Sequence, residues 1–162
     1  AVAEDVWMFN IHVTGIDGIK MVIDAARDET VKRGLQTPLI IGVTVLTSLA
    51  QGDLAQLGID YTPAETVLKR ANLASKAGLD GVVSSAREAG IIKENCGLSF
   101  LTVCPGVRPQ WAAADDQKRI MTPEVALLKG ADYLVIGRPI TKADKPAEAA
   151  EKILKEMEGA LC

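Results

Sequence analysis

The stretch "YLVIGRPIT", residues 133–141, combines a short apolar run with an abrupt change of character. Residues 133–136 are apolar and rich in strand-forming types, without the strict alternation of a half-solvated strand, which is typical of a strand covered on both faces. Gly137 ends the run and Arg138 follows at once. In parallel α/β folds, ligands bind at the carboxyl ends of the strands. The stretch therefore predicts a buried parallel strand that delivers a cation to a ligand-binding edge.

Four earlier apolar runs have the same character, and helical patterns separate them. The predicted strands are residues 7–13, 39–47, 81–84, 99–104 and 133–136. The predicted helices are residues 16–33, a segment from Thr62–Pro63 to Gly78, a short one from Thr122–Pro123 to Gly130, and residues 146–161. Thr before Pro is a helix start signal, and Gly is a stop signal. Five strands interspersed with helical segments predict an α/β fold with a parallel sheet.

Two layouts remain open for that sheet. An open doubly wound sheet would carry a GxGxxG turn after its first strand, but "HVTGIDG" at residues 12–18 has only Gly15 and Gly18. A complete parallel (β/α)8 TIM barrel needs about 250 residues, so this chain would form an incomplete barrel of about five βα units. Length favours the open sheet, whereas the motifs below favour the barrel. In either case residues 1–162 are predicted to form a single domain.

Composition restricts the class of ligand. The net charge is -3 and both signs are interspersed, so no basic stripe predicts nucleic acid and no polybasic run predicts a membrane surface. No apolar stretch is long enough to span a bilayer, and nothing near residue 1 reads as a signal peptide, which predicts a cytoplasmic protein. The three cysteines are unclustered, which disfavours disulfides and a zinc site. A small molecule is the expected ligand.

Polar residues at two strand ends are candidates for binding it. Gly137 permits close approach of a ligand, and the guanidinium fork of Arg138 suits a phosphate dianion, although Arg138 in isolation equally suits a loop cap or a surface ion pair. After the fourth strand, "CPGVRPQWAAADDQKRIMTP" at residues 104–123 contains a long loop, 106–121. Loops of this length are usually lids or binding loops. Arg108 and Gln117 are its candidate contacts, the alternative being solvated loop residues.

Two further positions are ambiguous. The stretch "LIIGVTVLTS", residues 39–48, ends in Thr47 and Ser48, whose hydroxyls suit an amide or carboxylate edge of a bound ring. Ser48 equally suits a turn or helix cap. His12, the only histidine, ends the first predicted strand. We interpret it as a structural histidine, because no partner for acid–base work is identifiable.

Four motifs taken together resemble the bacterial orotidine 5'-phosphate decarboxylases. They are "VTVLTS" (43–48), "CPGVRP" (104–109), "DQKRIMTP" (116–123) and "YLVIGRPIT" (133–141), in this order and with these spacings. The resemblance extends from "NIHVTG" (10–15) to the last helix. It implies a TIM barrel that acts as a homodimer and converts orotidine 5'-phosphate to UMP and carbon dioxide, without a cofactor, in pyrimidine biosynthesis.

The resemblance also implies roles for five residues. Thr47 would contact the pyrimidine ring, and Gln117 in the lid would bridge base and phosphate. Gly137 and Arg138 would hold the phosphate. Arg108 matches a ligand-contacting arginine of the family whose specific role is not implied.

The catalytic array of the family has no counterpart in these 162 residues. That array comes from the first three strands and includes an Asp-x-Lys-x-x-Asp motif, whereas the nearest match here, "DDQK" at residues 115–118, lies in the lid and does not complete that motif. The chain is therefore expected to match the last five of eight units, with the Lys/Asp array upstream of Ala1, no catalytic residue of its own, and no activity alone. The alternatives are a related sugar-phosphate decarboxylase of the superfamily, or a catalytically silent phosphate-binding fragment.

Overall fold

The computed structural model describes residues 1–112 and 121–160. Its five strands are β1 (Met8–His12), β2 (Leu39–Val43), β3 (Gly81–Val83), β4 (Leu101–Pro105) and β5 (Tyr133–Val135). Its helices are α1 (Ile16–Arg33), α2 (Gln51–Gln56), α3 (Pro63–Ala77), α4 (Ala89–Cys96), α5 (Pro123–Leu128), α6 (Arg138–Thr141) and α7 (Pro146–Glu158). Every predicted strand and helix is present. The short helices α2, α4 and α6 were not predicted.

The sheet is parallel, and each strand pairs with the next one along the chain, in the order β1-β2-β3-β4-β5. A doubly wound sheet instead reverses direction at a switch point, so this order excludes that layout. The rings of Trp7, just before β1, and Tyr133, in β5, meet edge to face with centroids 5.3 Å apart. Four strand spacings in a flat sheet would span about 19 Å. The sheet is therefore strongly curved, and the chain forms part of a TIM barrel.

Helices cover the sheet and bury a core of aliphatic residues. Helix α1 packs beside α3, and α3 beside α4. The main cluster contains Ile19 and Ile23 of α1, Val67 of α3 and Ile92 of α4. Between β3 and β4 the backbones approach so closely that a Cβ on Gly81 would lie 2.2 Å from the carbonyl oxygen of Leu101. A side chain at that position would push the two strands apart.

Two loops that lead into strands share one design. Asp80 precedes β3 and Asp132 precedes β5, and each follows a Gly in the left-handed region and a buried apolar residue. The Oδ2 atom of Asp80 accepts a hydrogen bond from the amide nitrogen of Ile40 at 2.7 Å. The Oδ2 atom of Asp132 accepts one from the amide nitrogen of Thr102, also at 2.7 Å. Each carboxylate therefore ties its own strand to the preceding one at the amino-terminal edge of the sheet.

The described residues include neither a membrane-spanning helix nor a cluster of metal-ligand side chains. No helix in residues 1–112 or 121–160 is long and apolar enough to cross a membrane. The same residues contain no group of three or more His, Cys, Asp or Glu side chains placed to bind a metal ion. Cys96 and Cys104 are free thiols. Burial raises the pKa of the Cys104 thiol to about 11, so it is protonated and unreactive at neutral pH.

Candidate functional site

At the carboxyl edge of the sheet, strand β2 ends at an earlier residue than the sequence predicts. Strand β2 ends at Val43, not at Thr47, because the chain turns away after Thr44. The amide of Thr44 still donates to the carbonyl oxygen of Val83 at 3.3 Å, and its hydroxyl donates to the same oxygen at 2.7 Å. Residues 45–49 are thereby free to form a loop above the sheet. Thr47 is exposed on that loop.

Loops after β2, β3 and β4 enclose a first cavity of about 390 Å³. Buried Val45 and Val67 give it apolar walls. Its polar lining comprises Thr47, Ser85, Arg87, Glu88 and Arg108. A cavity of this size with an apolar wall and a few converging polar groups suits a small planar ring.

The loop after β4 is held close to the loop after β2. Gly106 has φ +78°, a left-handed conformation that favours glycine, and a Cβ there would lie 4.0 Å from Oγ1 of Thr47. Two residues later, the amide nitrogen of Arg108 donates a hydrogen bond to the carbonyl oxygen of Met121 at 3.0 Å. This bond joins the two ends of the predicted lid. Gln117, the predicted lid contact, lies outside the described residues.

A second cavity, of about 400 Å³, lies between the loop after β4 and α6. Arg108, Arg138 and Lys142 line it together with Trp111. The amide of Lys142 donates to the carbonyl oxygen of Arg138 at 3.0 Å, which places the two cations one helical turn apart. Its lining contains no acidic residue among those described, and none of the three cations pairs with a carboxylate in residues 1–112 or 121–160. The arrangement suits a multiply charged anion.

Arg108 lines both cavities and so connects the predicted site residues. Thr47 faces the first cavity with Arg108, and Arg138 faces the second with Arg108. Gly137 lies between β5 and α6, and among the described residues no atom outside its chain neighbours comes within 4 Å of where its Cβ would be. The described part of the chain leaves that space open, as close approach of a ligand would require.

Several cavity residues were not predicted. Ser85, Arg87 and Glu88 follow β3 directly, and Lys142 lies four residues after Arg138. Their position after a strand, or one helical turn from a predicted cation, is the sequence signal that could have found them. Glu88 is half-buried, and desolvation raises the pKa of its carboxyl despite an opposing hydrogen bond from Ser85. It therefore holds its proton to higher pH than an exposed glutamate does.

The two ambiguous residues take no part in either cavity. His12 is exposed and has no side-chain hydrogen bond within the described part of the chain, so the interpretation as a satisfied structural histidine was wrong. Ser48 does not cap α2. That role falls to Asp53, whose Oδ2 accepts a hydrogen bond from the amide of Ala50 at 2.7 Å.

Sequence comparison finds relatives over nearly the whole chain. Residues 1–153 match the model of the orotidine 5'-phosphate decarboxylase / HUMPS family. An orotidine 5'-phosphate decarboxylase of Legionella pneumophila is 50% identical over 152 residues, covering 94% of this chain and 65% of that protein. One from Pseudomonas putida is 51% identical over 154 residues, covering 95% and 64% respectively. The chain thus spans about 65% of the length of the relatives that it matches.

Solved structures give the same answer for the fold. The crystal structure of orotidine 5'-phosphate decarboxylase from Lactobacillus acidophilus superposes with a TM-score of 0.83 at 34% identity, over 96% of this chain and 65% of that one. An uncharacterized conserved protein from Geobacillus kaustophilus superposes with a TM-score of 0.76 at 36% identity, over 94% and 64%.

Proposed function

The chain belongs to the orotidine 5'-phosphate decarboxylase / HUMPS family, and we propose that it supplies the phosphate and base contacts of an orotidine 5'-phosphate decarboxylase. The reaction converts orotidine 5'-phosphate to UMP and carbon dioxide without a cofactor. The relatives named for this activity are about half identical to the chain. They support the assignment of the activity, and the two cavities support the assignment of the residues.

The observation that carries the proposal is the shared position of Arg108. Arg108 lines the cavity that holds Thr47 and also the cavity that holds Arg138 and Lys142. A nucleotide has a planar ring at one end and a dianion at the other. The first cavity suits the ring, the second suits the dianion, and Arg108 lines both. Free energy from binding the phosphate is then available to position the ring for reaction.

Each contact has a distinct physical role in this proposal. Arg138 forms paired hydrogen bonds with phosphate oxygens, and Gly137 allows those oxygens to approach the backbone. Lys142 neutralises the second charge of the dianion. Thr47 hydrogen-bonds the ring in the first cavity, and Gln117 bridges ring and phosphate when the lid closes.

We propose that the chain alone binds the nucleotide but does not decarboxylate it. Loss of carbon dioxide leaves a ring carbanion, which needs a nearby ammonium to stabilise and protonate it. The 162 residues contain no Asp-x-Lys-x-x-Asp motif that would provide such an array. The full activity is assigned to a complete enzyme that works as a homodimer, as the family resemblance implies, and we propose that this enzyme is cytoplasmic.

Calorimetric titration tests the proposal with four probes: UMP, uridine, ribose 5-phosphate and inorganic phosphate. We expect UMP to bind about 100-fold more tightly than uridine, because two charge-assisted hydrogen bonds contribute about 3 kcal/mol. UMP should also bind more tightly than ribose 5-phosphate, because only UMP fills the first cavity. Equal affinity for UMP and ribose 5-phosphate would instead favour a sugar-phosphate enzyme. Binding of uridine as tight as that of UMP would contradict the phosphate assignment.

A further inference from the structure

We propose that Arg70, on α3, is a positioning residue that holds the loop carrying Thr47 in its binding conformation. This inference rests on the proposed function, because it gives Arg70 a role in recognising the ring. Arg70 itself does not line the first cavity. Its effect on a ligand would pass through the backbone of residues 44–49.

The contact that carries the inference joins a side chain of α3 to the backbone after β2. A guanidinium N–H of Arg70 (Nη1) donates a hydrogen bond to the carbonyl oxygen of Thr44. Thr44 is almost fully buried, and its amide and hydroxyl are both directed to Val83. A buried carbonyl without a hydrogen-bond donor destabilises a protein. Arg70 supplies the donor for the carbonyl of Thr44, at the point where the chain turns away from β3. Thr44 is thereby fixed from both sides.

The position of Arg70 on α3 relates this contact to the first cavity. Pro63, Val67 and Arg70 are spaced i, i+4 and i+7, so they lie along one face of the helix. Pro63 and Val67 line the first cavity, and Arg70 lies about one turn further along the same face. The helix therefore forms a wall of the cavity and also holds the start of the loop opposite.

The loop that Arg70 holds supplies much of the cavity lining. Val45, Leu46, Thr47 and Leu49 all face the first cavity. Within the loop, the amide of Leu49 donates to the carbonyl oxygen of Leu46 at 2.9 Å, so the segment is a compact turn. A displacement at Thr44 would move Thr47 as part of that turn.

Arginine suits this position better than lysine. Its guanidinium is planar, remains charged and offers five N–H donors in fixed directions, whereas lysine offers a mobile ammonium. A hydrogen bond from a charged donor is roughly twice as strong as one between neutral groups. Arg70→Lys should therefore hold the loop partly, and Arg70→Ala should release it.

Hydrogen exchange measured by mass spectrometry tests the contact without any ligand. In Arg70→Ala, amides of residues 45–49 should exchange about 10-fold faster than in the parent protein, since a hydrogen bond to a charged group is lost. Arg70→Lys should show an intermediate rate. Lys76→Ala removes an exposed cation from the same helix and should leave the rate unchanged. Equal exchange of this segment in Arg70→Ala and Lys76→Ala would overturn the proposal.

A double-mutant cycle on UMP affinity tests whether Arg70 acts through Thr47. Arg70→Ala alone should weaken UMP binding about 10-fold, but by less than about 2-fold when Thr47 is already alanine. Binding of inorganic phosphate should not change, because none of residues 44–49 lines the second cavity. Equal losses of UMP affinity in both backgrounds would show that Arg70 has only a structural role. If the parent binds no UMP, the proposed function fails, and the exchange experiment still decides whether Arg70 holds the loop.

Discussion

The Nζ atom of Lys93 lies 2.6 Å from Oδ2 of Asp132, and this ion pair distinguishes Asp132 from Asp80. Both aspartates accept a hydrogen bond from the neighbouring strand. Within residues 1–112 and 121–160, only Asp132 of the two also pairs with a cation, and the side chain of that lysine is 10% exposed. Lys93 donates a second hydrogen bond, to the carbonyl oxygen of Leu98, at 2.9 Å. The junction before β5 thus couples β4, β5 and α4.

We predict that Asp132→Asn destabilises the protein more than Asp80→Asn does. Asp80→Asn weakens one hydrogen bond from a backbone amide and should lower the free energy of unfolding by about 1 kcal/mol. Asp132→Asn in addition leaves the ammonium of Lys93 buried without its counter-charge, and should cost about 2 kcal/mol or more. Urea denaturation of the two variants measures the difference.

Lys93→Met in the Asp132→Asn background provides the control for that prediction. Methionine removes the unpaired charge and retains apolar volume, so it should recover part of the lost stability. If the double variant is no more stable than Asp132→Asn, the unpaired lysine is not the cause of the loss.

A second prediction concerns the cations of the second cavity. Lys142→Ala should weaken phosphate binding about 3- to 10-fold and reduce the dependence of affinity on salt, because one of three cations is lost. Lys145→Ala is the matched control, since Lys145 lies three residues further along and pairs with Glu148 at 2.6 Å. Fluorescence of Trp111 reports binding in a Trp7→Phe background. Similar losses in both lysine variants would argue against a specific contact by Lys142.

A third prediction follows from the raised pKa of Glu88. The folded protein binds this proton more tightly than the unfolded chain does, so the contribution of Glu88 is most favourable below the ordinary carboxyl pKa. It is lost as pH rises through the folded-state pKa. Glu88→Gln should therefore raise the melting temperature relative to the parent at neutral pH, and by less near about pH 4.

The same substitution at Glu151, which is exposed on α7, controls for the change in net charge. A pH-independent difference between Glu88→Gln and the parent would contradict the desolvation of Glu88.

Local signals predicted the elements of the fold, but not their arrangement. Thr62 and Thr122, each followed by proline, mark the starts of α3 and α5, and both hydroxyls accept a hydrogen bond from the backbone amide three residues on. Helix α4 was missed because Glu88 at its start makes no side-chain capping hydrogen bond. The strand order is a property of long-range pairing. Contacts such as that between Trp7 and Tyr133 have no local sequence signal.

The candidate site was predicted only in part for a related reason. Thr47, Arg108 and Arg138 follow strands and were found by the rule that ligands meet the carboxyl ends of parallel strands. The end of β2 was placed too late, because residues 44–47 retain strand-forming side chains although their backbone has left the sheet. The role of Arg70 depends on the packing of α3 against that loop, which periodicity alone does not reveal.

A crystal structure with bound UMP tests the central claim most directly, namely that one nucleotide spans both cavities past Arg108. We predict that its phosphate lies within hydrogen-bonding distance of Arg138 and Lys142, with the pyrimidine ring in the first cavity beside Thr47. A phosphate bound in the first cavity, or a nucleotide that leaves Arg108 and Arg138 without contact, would contradict the claim.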